Sequence, residues 1–262
     1  MDRYYPDNYY SFSLLLPKKW FFYPYFMKVK NFLLKNLVKY RLENKNNFIG
    51  FLASKRYHRY YYLNEKMCHI NSKILDVGCG AGQLLLDMKK HGFKNLKGID
   101  PYISSDITYD SGVKIEKKYI NELNETFDFI MLHHSFEHMD NPESVMKEIY
   151  RLLNPNAYAL IRIPVARSYA YKKYGAYWVQ LDAPRHFFIH STASMQYLAK
   201  KAGLELESIV YDSTSFQFIG SEQYLKGENI SFKKKEIKYF SKKAKQLNAI
   251  SQGDQACFYL KK

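Results

Sequence analysis

Two carboxylates and three glycines stand out for their spacing. In "KILDVGCGAGQLL", Lys73 to Leu85, a short apolar run carries Asp76 and is followed by Gly78, Gly80 and Gly82. A carboxylate inside an apolar strand is costly to bury unless a charged or hydrogen-bonding partner meets it. Glycines there tolerate positive φ and let the backbone approach a ligand with no Cβ in the way. Eighteen residues past Gly82, "LKGIDP" ends a second apolar run at Asp100 and Pro101. At that place a carboxylate can accept hydrogen bonds from both hydroxyls of a ribose.

The spacing separates two cofactor classes. The dinucleotide fingerprint G-x-G-x-x-G, set on Gly78 and Gly80, puts its third glycine at position 83, which is Gln83; the third glycine here is Gly82. That is a mismatch for NAD, whereas the ammonium group of S-adenosylmethionine is the kind of partner Asp76 needs. Asp100 fits either cofactor, and an ordinary tight turn is the alternative to both. The element that must hold these groups is a buried strand running through a glycine turn into the helix begun by "QLLLDM". This is the first β-α step of an open sheet, where ligands bind.

"LDVGCGAG" and "GIDP" together resemble the first two motifs of the class I S-adenosylmethionine-dependent methyltransferases. "FDFIMLHHSFEHMDNP", Phe127 to Pro142, resembles the fourth-strand motif of the small-molecule branch with its HxxEH signature, and "WVQLDAPRHFFIHS", Trp178 to Ser191, a stretch before the last core helix. The resemblance runs from Lys73 to Tyr211. It implies an α/β fold with a Rossmann-like seven-stranded sheet in the order 3-2-1-4-5-7-6, the last strand antiparallel, and helices on both faces. It implies S-adenosylmethionine as cofactor, held by Asp76, Gly78, Cys79, Gly80, Gly82, Gln83, Asp100, Pro101, Tyr119, Ile120 and His133. The acidic or amide residue that the family places after the third strand has only Asn121 as its counterpart, so Tyr119 and Ile120 are expected to flank the adenine.

Local signals place the other elements. Val113 to Lys117 reads as a third strand, Phe127 to His133 as a fourth, and Ala157 to Val165 as a fifth after an "NPNA" turn. Pro142 to Leu153 reads as a helix capped by Asn141, with proline at the first position, where a missing N–H does no harm. Ser191 begins a helix over Thr192 to Ala202 that Gly203 stops; Leu204 to Tyr211 returns as a strand, and "DQACFYLKK" closes the sheet.

Methyl transfer to a hydroxyl needs a base, and histidine titrates near neutrality. His134, at the end of the fourth strand, and His186, in the loop over the substrate, are the catalytic candidates. His134, Glu137 and His138 lie at i, i+3 and i+4, so a helical turn would aim all three at one point, as a metal site demands. The signature also resembles the ExxEH with which quinone-precursor O-methyltransferases bind a divalent cation, histidine replacing the first glutamate. The reading taken is that no metal is held and that Glu137 and His138 anchor the loop, with the three-residue metal site as its alternative.

Residues 1–70 form an expected N-terminal aromatic and basic arm, helical and acting as cap or lid, before a methyltransferase domain over 71–262 with 166–190 as a substrate-side loop. Phe26 to Tyr40 reads as an amphipathic helix, Lys28, Asn31, Lys35 and Lys39 on one face and Met27, Phe32, Leu34, Leu37 and Val38 mostly opposite. Either the arm packs on the core or residues 1–40 make peripheral membrane contact, with Trp20, Phe21 and Phe22 dipping into a bilayer. With 40 Lys+Arg against 25 Asp+Glu the net charge is +15, which attracts phosphates. The lysines are spread through a sequence rich in Lys, Asn, Ile, Tyr and Phe, and no nucleic-acid motif accompanies them. Three scattered cysteines argue against a disulfide framework or thiolate metal site. No secretory signal is evident and no apolar run approaches ~18 residues, so a cytoplasmic location is expected, with the inner membrane surface as the peripheral variant.

The expected function is O-methylation of a small molecule or of a surface-glycan or sugar hydroxyl. A quinone-precursor O-methyltransferase, a tRNA methyltransferase and a non-catalytic cofactor-binding scaffold are the alternatives.

Overall fold

The alternation of short apolar runs with amphipathic helices builds two units in the chain, which a computed structural model describes over residues 23–43 and 45–262. One unit runs through Met131 and includes Arg151–Ala159; the other holds Leu132–Tyr150 and Leu160–Lys262. Strands β5 (Phe127–His133) and β6 (Leu153–Pro164) run through both.

The first unit opens with helices α1 (Tyr23–Leu42) and α2 (Phe48–Arg56). β1 (Lys73–Val77) then leads through the glycine turn into α3 (Gln83–Lys90) and on to β2 (Asn95–Ile99), β3 (Ile107–Thr108) and β4 (Lys114–Glu116). β1 pairs in parallel with β2 and with β5, and β2 with β4. Ile74, Leu75, Ile115, Phe129 and Ile130 are wholly buried, the near-continuous apolar run that a parallel strand covered on both faces requires. Gly98 in β2 lets α3 lie close: a Cβ there would fall 2.8 Å from Leu85 Cδ1 and 2.7 Å from Ile115 Cδ1.

The second unit carries α4, which starts at Pro142, and then α5 (Tyr169–Tyr174), α6 (Thr192–Ala202), β7 (Glu205–Tyr211), α7 (Phe216–Lys226), α8 (Lys234–Ala249) and β8 (Gln255–Lys261). β8 runs antiparallel to β7. Ser191 caps α6 through its bond from the Ser194 N–H, and Gly203 ends it at φ +85°. Trp178, Tyr174, Phe218, Ala244 and Leu247 form an apolar cluster, and the Trp178 indole N–H donates to the buried Asp254 carboxylate at 2.9 Å.

Strand order is β3-β4-β2-β1-β5-β6-β8-β7. Without β3 this is the order expected. The sheet has eight strands among the described residues instead of seven, because Ile107 and Thr108 pair antiparallel with Ile115 and Lys114 at its edge. β6 begins at Leu153, earlier than expected: the "NPNA" stretch stays in the strand, and Asn156 absorbs the irregularity at φ +61°. Helix α4 ends at Leu152. α1 buries Leu34, Leu37 and Val38, but Phe32 is 55% exposed and lies on the outer face, so its apolar residues occupy two faces. Trp20, Phe21 and Phe22 lie outside the described residues.

Candidate functional site

In the first unit the glycine turn is shaped by backbone conformation that only glycine adopts easily. Gly78, Gly80 and Gly82 have φ of +74°, +54° and +76°. A Cβ on Gly82 would also fall 2.5 Å from Ile115 Cδ1. The turn is pinned to β2: Gly78 N–H donates to Ile99 O at 2.8 Å, and Gly80 N–H to Asp100 Oδ2 at 2.8 Å. The other oxygen, Asp100 Oδ1, accepts the Tyr102 N–H at 2.9 Å. Each carboxylate oxygen thus keeps a lone pair for a further donor, which fits a ribose diol.

Asp76, 3% exposed, lies in the same neighbourhood. Burial, with the Asp100 carboxylate adding, pushes it up to about 7. A cation placed against it would restore the charged form, so the site fits a ligand with an ammonium group. Cys79 stays a thiol, since burial and then the two acids raise it well above the usual range. Gln83 begins α3 and turns its amide toward Asp87 at 3.4 Å. Pro101 follows Asp100 at the same edge. Tyr119 presents an exposed ring and Ile120 a buried side chain on the short turn that Glu122 closes by accepting the Tyr119 N–H at 2.6 Å.

Sequence reasoning missed Tyr109, whose hydroxyl donates to Ala81 O at 2.6 Å and straps the glycine turn. It also missed Ile115, which fills the space that Gly82 and Gly98 leave. No local motif marks either, because each acts through strand pairing.

The second unit gathers histidines around one carboxylate. Glu137 is 1% exposed, and neither of its carboxylate oxygens has a hydrogen-bond partner among the described residues within bonding distance. His134 Nδ1 faces Glu137 Oε1 at 3.5 Å and His186 Nε2 faces it at 4.0 Å. Burial opposes charge on Glu137, yet His134, His138 and His186 together hold it below the usual range. His186 Nδ1 bonds Gln180 O at 2.9 Å and His138 Nδ1 bonds Arg185 O at 3.0 Å. Each neutral ring therefore donates from Nδ1 and keeps its lone pair on Nε2. Burial lowers His186 from the ordinary histidine range.

One ligand atom each from Glu137, His138 and His186 lies within 4.8 Å of the others. That cluster takes His186 where the sequence spacing proposed His134. His134 itself sits at φ +53°, its side chain 37% exposed against 6% for His186, a conformation uncommon outside glycine. His133 is pushed down to about 3 by burial, with Arg162 and His134 adding, and stays neutral.

The glycine turn at the carboxyl end of β1, the parallel pairing of β1 with β2 and β5, and the strand order define a class I methyltransferase fold. A family model described as a methyltransferase domain matches residues 34–209, and the chain belongs to that family as an S-adenosylmethionine-dependent methyltransferase. Among curated proteins it is similar to the ubiquinone biosynthesis O-methyltransferase of Pseudomonas putida strain W619, 29% identical over 171 residues that cover 58% of this chain and 72% of that one. The protein of the same name from Pseudomonas entomophila strain L48 is 28% identical over the same shares. Among solved structures, an S-adenosylmethionine-dependent methyltransferase from Mesorhizobium loti superposes with a TM-score of 0.50 at 14% identity, over 77% of this chain and 94% of that one. This last likeness shows the fold alone.

Proposed function

We propose that the protein methylates an oxygen of a small-molecule acceptor, with His134 as the group that takes the acceptor's proton. Bound at the glycine turn, the cofactor supplies a methyl group already activated on a sulfonium. The chain's own residues then hold the donor, orient the acceptor and remove one proton. The observation that carries the reading is the buried Glu137 carboxylate beneath the half-exposed His134. With Nδ1 turned to Glu137, His134 Nε2 is free to accept a proton, and the carboxylate stabilises the imidazolium formed. His186 is too enclosed to meet an acceptor and serves to position Glu137.

The name of the related proteins, ubiquinone biosynthesis O-methyltransferase, supports O-methylation of a quinone precursor; a sugar or glycan hydroxyl is tested beside it. Residues 1–70 act as an arm and 166–190 as the substrate-side loop in this reading, and the protein works in the cytoplasm with peripheral contact to the membrane surface. No helix among the described residues is long and apolar enough to cross a membrane.

A second reading has its own support. Glu137, His138 and His186 are a set of one carboxylate and two imidazoles, the donor chemistry of a divalent cation. A cation held there would lower the pKa of a hydroxyl beside it. The test is methylation of catechols, simple phenols and sugars with labelled donor, products located by mass spectrometry and NMR. Methyl groups on oxygen are expected, and transfer to nitrogen or carbon alone would overturn the reading.

A further inference from the structure

Helix α2 reverses the usual placement of large and small residues. Gly50 and Ala53 are buried, and a Cβ on Gly50 would fall 2.2 Å from Asn36 O and 2.5 Å from Tyr40 Cβ, so α2 meets α1 backbone to backbone. Its large apolar residues point outward: Phe48 is 69% exposed, Leu52 49%, Ile49 40% and Phe51 37%. At about 100° per residue, Phe51, Lys55, Phe48, Leu52, Arg56 and Ile49 fill an arc of roughly 160°. The arc is apolar over its first turn and basic at its end. On α1, Tyr25, Phe26, Val29 and Phe32 are exposed on a face of their own while Leu34, Leu37 and Val38 are buried.

Charge says what this surface fits. From Tyr23 to Arg56 the sequence has eight Lys and Arg against one acid, Glu43. Protein interfaces are depleted in lysine at their cores, whereas an apolar arc ending in cations matches the boundary between acyl chains and phosphate headgroups. The Lys55 ammonium lies over the Phe51 ring, 4.5 Å from its centroid, so the cation adjoins the apolar face directly.

We propose that the α1–α2 hairpin is the membrane-seating element, with the side chains of Phe48, Ile49 and Leu52 entering the acyl boundary of an anionic bilayer and Lys55 and Arg56 on lipid phosphates. This rests on the peripheral contact given above and narrows it to α2 and to anionic lipid. It moves the apolar anchor from residues 1–40 to Phe48–Leu52.

Full-length protein is floated with vesicles of phosphatidylcholine alone and with about a third phosphatidylglycerol, beside F48S/L52S, K55Q/R56Q and a K234E/K238E control on α8. Sedimentation velocity gives the oligomeric state, and circular dichroism and donor binding check folding. Binding to anionic vesicles is expected to fall about tenfold or more in F48S/L52S. K55Q/R56Q should lose severalfold, the control much less, and pure phosphatidylcholine should bind weakly. A wild type that binds neither vesicle overturns the peripheral reading and this one with it. Vesicle binding undiminished in F48S/L52S, or lost only in the α8 control, overturns this inference alone. A dimer that F48S/L52S dissolves, with no vesicle binding, assigns the face to a second copy and overturns it as well.

Discussion

Asp100 Oδ2 accepts the Gly80 N–H at 2.8 Å, so the acid that ends β2 shapes the glycine turn that β1 feeds. The same carboxylate positions the turn and keeps lone pairs that, in the reading proposed above, meet the donor's ribose. Asp100→Ala is expected to weaken S-adenosylmethionine binding at least tenfold, about 1.4 kcal/mol, and to lower the melting temperature of the free protein as well. Calorimetry and a thermal melt measure the two effects. Unchanged affinity would remove Asp100 from the ribose, and tighter binding of NAD than of the methyl donor would remove the donor assignment.

Gly82 carries both a conformational and a steric demand, φ +76° and Ile115 Cδ1 2.5 Å from where a Cβ would stand. Gly82→Ala should cost about 1–2 kcal/mol from the left-handed backbone alone, with the clash in addition. The double variant with Ile115→Val should recover the steric part and leave the backbone part, so a partial return of the melting temperature is expected. Full recovery would mean that φ costs nothing at this position.

Asp76 gives a pH signature. Its pKa, raised to about 7 by burial and then by Asp100, means that the folded state binds a proton that the unfolded chain has already released. Its contribution to stability is therefore present at acid pH and is lost as pH rises from the ordinary carboxylate range toward 7. Melts of wild type against Asp76→Asn across pH 4–8 should show this slope in the wild type only. An ammonium group seated against Asp76 favours its ionised form, so donor affinity is expected to fall as pH drops below about 7, and this dependence should vanish in the variant. Parallel curves for the two proteins would contradict the assignment.

His134→Gln should lower turnover by about a hundredfold or more while donor affinity stays put, since a general base acts in the transition state. EDTA should leave the wild type unaffected. Activity abolished by chelation and restored by magnesium, zinc or manganese would favour the cation held by Glu137, His138 and His186, and Glu137→Gln should then mimic the chelated enzyme. Full activity in His134→Gln would reject the base, leaving alignment as the chain's contribution.

Burial lowers His186 from the ordinary histidine range. The sign is that of a group kept neutral in the fold, whose stabilising contribution is lost as pH falls below the unfolded histidine value. His186→Phe should therefore flatten the acid limb of the stability profile between about pH 6.5 and 5, read by urea midpoints. An acid limb identical in the variant would show that the fold does not lower His186.

Local chemistry determined much of this protein in advance. Three glycines and two acids at these spacings define a β-turn-α step whatever surrounds them, because φ and carboxylate burial are demands made within a few residues. Ser191 and Gly203 bounded α6 for the same reason, and the apolar runs placed the parallel strands. Tertiary structure alone decided what depends on residues distant in sequence. Ile115 and Tyr109 reach the glycine turn only because β4 pairs with β2 and β3 with β4. His186 joins Glu137 and His138 in place of His134 because the loop carrying it folds back so that the Phe187 N–H bonds Glu137 O at 2.9 Å. The outward apolar face of α2 follows from Gly50 and Ala53, since small residues let two helices touch and leave the large ones to solvent. Periodicity records which residues share a face but not which face is covered, and that is settled only when α1 packs.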